Sequence, residues 1–146
     1  RSYEKSRKDG KRNYCIMSDK FNIEIITPDK TLIKSEISQA IIPAFEGSMT
    51  ILKDHISIVT FLRPGFIEVI SDKSSEKFYA EEGTVEFFKN TLLVLSSSVI
   101  NIKEVSQDYI SKILEESKKE INKDEIKDKE KYILSYKINS LEEIKR

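Results

Sequence analysis

Residues 43–55 have the sequence PAFEGSMTILKDH, which predicts a tight reversal between two short apolar strands. One strand ends where this stretch begins, and the second runs over residues 49–52. Gly47 follows Glu46 at the reversal, where a positive φ angle is needed and glycine adopts it without a steric cost. His55, the only histidine of the chain, closes the stretch. The remaining sequence before residue 104 continues the same strand-and-turn pattern.

Short alternating segments on both sides of this reversal predict further strands. Phe21, Ile23 and Ile25 alternate with polar residues, which is typical of a strand with one buried face. Turn sequences such as Thr-Pro-Asp-Lys at 27–30 recur every 8–12 residues. Residues 18–103 therefore predict an N-terminal antiparallel β-sandwich, or flattened barrel, of about eight to ten short strands.

The spacing of apolar residues changes from residue 104 to a helical one, so residues 104–146 predict a C-terminal antiparallel hairpin of two helices. Ser106 is a good N-cap, and Asp108 lies in the first turn, where the helix dipole favours a carboxylate. The run Asn122-Lys123-Asp124 interrupts the pattern. The apolar stripes contain Ile110, Ile113, Leu114, Ile133, Leu134, Ile138 and Leu141. Because these stripes are narrow, we expect the hairpin to need a surface to pack against.

The first 17 residues carry six basic and two acidic residues without an apolar period. Their acidic residues, Glu4 and Asp9, count against a mitochondrial presequence, which is poor in acids. We therefore expect residues 1–17 to be a disordered or misassigned upstream extension. Met17, directly before the first core strand, is the expected natural start.

Charge and cysteine usage exclude several classes of function. The chain has 25 basic and 25 acidic residues, and residues 18–103 carry nine and twelve, so we expect no nucleic-acid binding. Cys15 is the only cysteine, which excludes an internal disulfide and a thiol metal cluster. No apolar run approaches eighteen residues, so we expect no membrane span.

Catalytic chemistry is equally absent from the sequence pattern. His55 has no second histidine and no serine or cysteine at a spacing that suggests a triad. The four glycines do not form a phosphate-binding loop. We expect no catalytic residue, cofactor or metal, and a binding or regulatory protein instead. A hydrolase that uses His55 is the least favoured alternative.

The order of these features resembles the epsilon subunit of the bacterial F-type ATP synthase, whose mitochondrial counterpart is called delta. The resemblance covers residues 18–146. It rests on an Ile-rich first strand with a Thr-Pro turn, Glu46-Gly47, Ile51, His55, Pro64-Gly65, Glu82-Gly83, a Leu-rich strand and a two-helix tail. The family usually has Glu-Gly-x-Leu-Gly-Ile, whereas Met49 and Thr50 replace the Leu and second Gly here. This departure concerns the loop rather than the fold.

The resemblance implies a rotor-stalk subunit that binds the gamma subunit and the c ring and couples rotation to ATP synthesis. Glu46, Gly47 and Ser48 match the loop that meets the c ring, with Ser48 and Met49 expected at its tip. His55 matches a position on the side that faces gamma. The helices are implied to restrain ATP hydrolysis when they extend along gamma towards the alpha and beta subunits.

The implied location is the cytoplasmic face of the bacterial plasma membrane, where the subunit is peripheral through the complex. A soluble β-sandwich adaptor, whose helical tail joins a partner's coiled coil, is the alternative. Co-purification distinguishes them, because a synthase subunit comes down with gamma and the membrane sector. The sequence leaves open whether the tail is compact or extended.

We expect the chain to bind ATP weakly or not at all. ATP-binding members of the family have Ile or Leu, Asp, two variable residues, Arg and Ala, whereas residues 107–112 have QDYISK. Only Asp108 matches; Ser111 cannot replace the bidentate phosphate contact of Arg, and Lys112 lies about 100° further around a helix. Calorimetry on the isolated chain at millimolar ATP should give no saturable binding. Micromolar binding that Asp108→Ala abolishes would contradict this expectation.

Overall fold

The computed structural model of the chain describes residues 3–8, 11–16 and 19–145. Its elements in chain order are β1 (Tyr3–Lys8), β2 (Lys11–Ile16), β3 (Phe21–Ile26), β4 (Thr31–Ile37), β5 (Gln39–Ala44), β6 (Gly47–Ile51), β7 (Ile58–Leu62), β8 (Gly65–Ile70), β9 (Ser75–Ala80), β10 (Gly83–Phe88), β11 (Thr91–Ser96), β12 (Val99–Asn101), α1 (Gln107–Ile121) and α2 (Asp128–Lys145).

β1 and β2 pair with each other as an antiparallel two-stranded sheet, separate from the large sheet. We expected this stretch to be a disordered or misassigned extension, and its described part has strand structure instead. Met17, the expected natural start, lies outside the described residues. That part of the expectation stays a prediction.

The strands from β3 to β12 form one ten-stranded sheet that folds into two layers. One layer contains β6-β5-β8-β9-β12 and the other β7-β10-β11-β3-β4. The layers are joined where Ala44 of β5 pairs with Leu62 of β7. Within this sheet β11 and β3 pair in parallel, and the other strand pairs are antiparallel. The predicted β-sandwich of eight to ten strands is confirmed, with one parallel pair that the sequence did not reveal.

The inward-facing side chains of the two layers form a single core. In β3, Phe21, Ile23 and Ile25 are buried while the intervening Asn22 is exposed, as the alternation predicted. Ile42 of β5 contributes from the opposite layer to the same core. Burying an aliphatic side chain of this size contributes about 1.5–3 kcal/mol, so the paired layers supply the main stabilisation of the domain.

Two glycines are required for different reasons. Gly47 has a φ angle of 143°, a conformation that residues with a side chain rarely adopt. Gly83 is required by close packing instead, because a Cβ there would collide with the Leu95 carbonyl oxygen of β11. Positive φ at Gly47 was predicted from the sequence. The packing constraint at Gly83 depends on the β10–β11 pairing.

The β5–β6 reversal is one step earlier in the chain than we predicted. Phe45 and Glu46 form the turn, and β6 already begins at Gly47. Ser48 and Met49 pair with Pro43 and Ile42 in the β5–β6 ladder. The prediction that Ser48 and Met49 occupy the tip is therefore wrong, because both are ladder residues beside it.

The C-terminal region forms two helices, as the change to helical spacing predicted. The Ser106 side chain accepts a hydrogen bond from the Tyr109 amide at 3.2 Å, which confirms it as the N-cap of α1. Asn122 is the C-cap, and α2 begins after a short connection. Four of the predicted stripe residues are buried and three are half-buried: Ile110, Leu114, Leu134 and Leu141, then Ile113, Ile133 and Ile138.

The hairpin packs against β8 and β9 through a second apolar cluster. Tyr79 of β9 is buried there with Ile110, Leu114 and Leu141 of the helices, and Phe66 of β8 packs beside them. None of the helices within residues 19–145 is both long and apolar enough to cross a membrane.

Candidate functional site

The layer that contains β7, β10, β11 and β3 exposes large apolar side chains on its outer side. β7 buries Leu62, whereas Val59 is 74% and Phe61 64% exposed. Phe61 lies opposite Thr84, which in turn lies opposite Leu95. We call this surface the outer face; its apolar members are Ile26, Val59, Phe61, Phe88, Leu93 and Leu95. Glu86 lies between Val59 and Leu93 in the strand register, so the face combines apolar side chains with a charged one. Large exposed apolar side chains grouped in this way are typical of a protein–protein interface.

Two depressions on the outer face share Gly83 and Thr84. One has a volume of about 400 Å³ and is lined by Phe45, Phe61, Leu62, Glu82, Gly83, Thr84 and Lys129. The other has a volume of about 380 Å³ and is lined by Ile26, Thr27, Pro28, Gly83, Thr84, Leu95, Ser96 and Ser97. Both are open and largely apolar, so they suit side chains of a partner rather than a reaction.

Sequence reasoning missed the outer face, although a signal for it exists. Residues 58–62 have the sequence IVTFL and residues 92–95 have LLVL, so apolar side chains occupy both faces of these strands. Strands with two apolar faces are typically covered on both sides. In the described residues the hairpin covers the other layer, which leaves this face available to a partner.

His55 lies in the loop before β7 and is half-buried. Its ring meets Phe87 edge-on with 5.8 Å between centroids, and its Nδ1 lies 2.7 Å from the Ile56 carbonyl oxygen. These contacts give His55 a structural role in the packing of this loop. Ile56, which is 78% exposed, is the side chain that this loop presents to solvent. Contact between His55 and gamma stays a prediction.

Side chains fix the loop that carries His55 to the β10–β11 turn. The Asp54 amide donates to Asn90 Oδ1 at 2.7 Å, and Asn90 Nδ2 donates to Asp54 Oδ1 at 3.0 Å. Lys89 and Asn90 both have positive φ angles, which is typical of a two-residue hairpin turn. The loop is therefore held at the end of the β7-β10-β11-β3-β4 layer where β7 begins.

The predicted c-ring residues belong to the β5–β6 layer and lie beside the opposite end of β7. Ala44 of β5 pairs with Leu62, the last residue of β7, whereas His55 lies before the first residue of β7. Glu46 is exposed in the turn itself. Ser48 is also exposed, but it lines a cleft of about 260 Å³ beneath α2 together with Arg63, Tyr136 and other residues. Of the four predicted residues, Glu46 alone lies in the turn itself.

A cluster of four side chains joins this turn to α2. The Tyr132 hydroxyl donates to the Phe45 carbonyl oxygen at 2.6 Å, and Arg63 Nη1 donates to the Tyr132 oxygen at 3.2 Å. The rings of Phe45 and Tyr132 lie 4.9 Å apart, and the Arg63 guanidinium lies 3.9 Å from the Tyr136 ring centroid. We call these residues the Arg63 cluster. Sequence reasoning missed this cluster, because Arg63 and Tyr132 are 69 residues apart in the chain.

The described residues offer little for cofactor chemistry. Within residues 19–145, no group of His, Cys, Asp and Glu side chains has an arrangement that could hold a metal ion. Asp108, the partial match to an ATP-binding pattern, is exposed in the first turn of α1. Its position at the helix N-terminus explains it without a ligand.

Comparison with known proteins agrees with this two-part architecture. Residues 20–102 match the family described as ATP synthase, Delta/Epsilon chain, beta-sandwich domain. The chain is 44% identical over 126 residues to the ATP synthase epsilon chain of Pelagibacter ubique, which covers 86% of this chain and 97% of that one. It is 31% identical over 107 residues to the epsilon chain of Allorhizobium ampelinum, covering 73% and 79% of the two chains.

Two solved structures share the fold. One is described as the Euglena gracilis mitochondrial ATP synthase, OSCP/F1/c-ring, with a TM-score of 0.72, 18% identity and coverage of 96% of this chain and 87% of that one. The other is the Tetrahymena thermophila mitochondrial ATP synthase central stalk/c-ring, with a TM-score of 0.56, 14% identity and coverage of 86% and 96%.

The fold and the family match define a protein of the delta/epsilon class, with a β-sandwich followed by a helical hairpin. This chain belongs to the epsilon subunit family of the F-type ATP synthase, as the resemblance implied. It is thus a stalk subunit of a proton-transporting synthase rather than its catalytic part.

Proposed function

We propose that the β-sandwich binds the gamma subunit through the outer face and the c ring through the β5–β6 turn, and so couples rotation to ATP synthesis. The observation that carries this proposal is the exposed apolar outer face. It lies on the layer that the hairpin does not cover. The two solved structures that share the fold are complexes with a c-ring, and one of them contains the central stalk.

The outer face has the chemistry of a permanent interface. Val59 and Phe61 are mostly exposed in this chain, and the few side chains that an interface buries fully at its centre contribute most of its binding energy. The two depressions beside Thr84 provide concave sites for side chains of gamma. Ile56 extends the apolar surface towards the loop that carries His55.

The turn at Phe45 and Glu46 suits the polar loops of the c ring. Glu46 is exposed and charged, and Gly47 fixes the reversal. Because membrane rotor rings expose polar loops at their water-facing side, a polar turn is a suitable contact. We place the subunit at the cytoplasmic face of the bacterial plasma membrane, attached through the complex alone.

The helical hairpin is the regulatory part of the proposal. Released from the sandwich, its stripe residues would be free to lie along gamma and reach the alpha and beta subunits, and so restrain ATP hydrolysis. The adaptor alternative is less favoured, because the apolar stripes already pack against β8 and β9 instead of awaiting a partner's coiled coil.

Substitution on the outer face tests the gamma contact. Phe61→Lys should weaken binding to purified gamma by about tenfold or more, because the interface would bury a charge opposite Thr84, which cannot neutralise it. The matched control is Tyr109→Lys on α1, where a large side chain is also half-exposed. That variant should bind within about twofold of the wild type. Equal affinities for the two folded variants in calorimetry would contradict the proposal.

Crosslinking tests the c-ring contact in the assembled enzyme. Glu46→Cys should form a disulfide with a cysteine placed in the polar loop of the c subunit, because Glu46 lies in the exposed turn. Ser48→Cys should react more weakly, since Ser48 lines the cleft beneath α2. Crosslinks from Glu46→Cys to the alpha or beta subunits alone would place the turn at the wrong end of the rotor.

A further inference from the structure

The surface on which the hairpin docks has a tyrosine near its centre. Phe78 and Ala80 of β9 point into the sandwich core, whereas Tyr79 between them points outward beneath the helices. Tyr79 is 1% exposed and packs with Ile110 and Leu141, among others. The helices therefore provide its cover, and release of the hairpin would expose it to water.

The hydroxyl of Tyr79 has no hydrogen-bond partner among the described residues. Burial raises the pKa of this phenol well above its ordinary value, with further contributions from Glu81 and Tyr109, as expected for a polar group removed from water. A buried polar group without a partner destabilises the state that buries it. Because water can solvate the hydroxyl once the hairpin leaves, the destabilisation acts on the docked state alone.

The Arg63 cluster acts in the opposite direction. The Tyr132 hydroxyl both donates to Phe45 and accepts from Arg63, so its hydrogen-bonding capacity is used in the docked state. Arg63 also lies over the Tyr136 ring, and a cation in this position is attracted to the ring face. Two ion pairs also join the helices to the sheet. Lys77–Glu143 is exposed at Glu143 and contributes little, whereas the side chains of Lys137 and Glu81 are only 23% and 26% exposed, so this pair adds to docking.

We propose that two tyrosine hydroxyls with opposite effects set the balance between a docked and a released hairpin. Tyr132 stabilises docking through its satisfied hydrogen bonds, and Tyr79 favours release through its unsatisfied hydroxyl. The inference deepens the proposed regulatory function, on which its significance rests. It depends only on contacts within this chain, so it can be tested without gamma or the rest of the synthase.

The two tyrosines form a matched pair of substitutions, because each Tyr→Phe change removes one oxygen atom and keeps the ring. Hydrogen exchange of the α1 and α2 amides in the full chain reports how often the hairpin opens. Tyr79→Phe should slow exchange of the helical amides by about fivefold or more, since it removes an unsatisfied buried group. Tyr132→Phe should accelerate exchange by about two- to tenfold, since it removes a satisfied hydrogen bond.

Amides of β10 and β11 serve as the internal control, because they belong to the sandwich core rather than to the docking surface. Their exchange should be unchanged in both variants. Unchanged or faster helical exchange in Tyr79→Phe would overturn the inference, because it would show that the hydroxyl is not a cost to docking. Slower exchange in Tyr132→Phe would also overturn it. Failure in either case would leave gamma binding through the outer face untouched.

Discussion

The architecture depends on β5, because this strand forms hydrogen-bonded pairs with both layers of the sandwich. Its first half pairs with β8 at Gln39–Ile41, and its last residue, Ala44, pairs with β7. Pro43 lies between these contacts; it has no N–H to donate, but its carbonyl oxygen accepts from the Arg63 amide at 3.0 Å. The layer junction, the exposed turn and the start of the Arg63 cluster therefore meet at one place.

Local features of the fold were predictable from the sequence, because each depends on near neighbours. The alternation of Phe21, Ile23 and Ile25, the Ser106 N-cap and the helical stripes all have short-range physical causes. The parallel β3–β11 pair and the contact between Arg63 and Tyr132 join residues far apart in the chain, and no local pattern encodes them. The outer face was missed for a different reason. Its apolar residues are also typical of a strand buried on both faces, and only the three-dimensional structure shows that one face is exposed.

The sandwich core and the docking surface are physically distinct. Core residues such as Ile42 and Val85 contact strands, whereas the second cluster combines the helices with the outward side of β8 and β9. Release of the hairpin would leave the first cluster intact and would expose the sheet side of the second cluster and of the Arg63 cluster. In the proposed function, the sandwich holds the rotor while the hairpin changes its position. The second cluster also explains why helices with narrow stripes are ordered here, since the sheet supplies the apolar surface that they lack.

The central claim is that the β-sandwich alone is the rotor-binding unit. It is tested most directly by co-purification of gamma with a chain that ends at Lys103, from which both helices have been removed. Gamma should be recovered with the shortened chain in the same stoichiometric yield as with the full chain, because the apolar side chains of the outer face and of the sandwich core all belong to strands. Loss of gamma from a shortened chain that still shows strand circular dichroism would contradict the account.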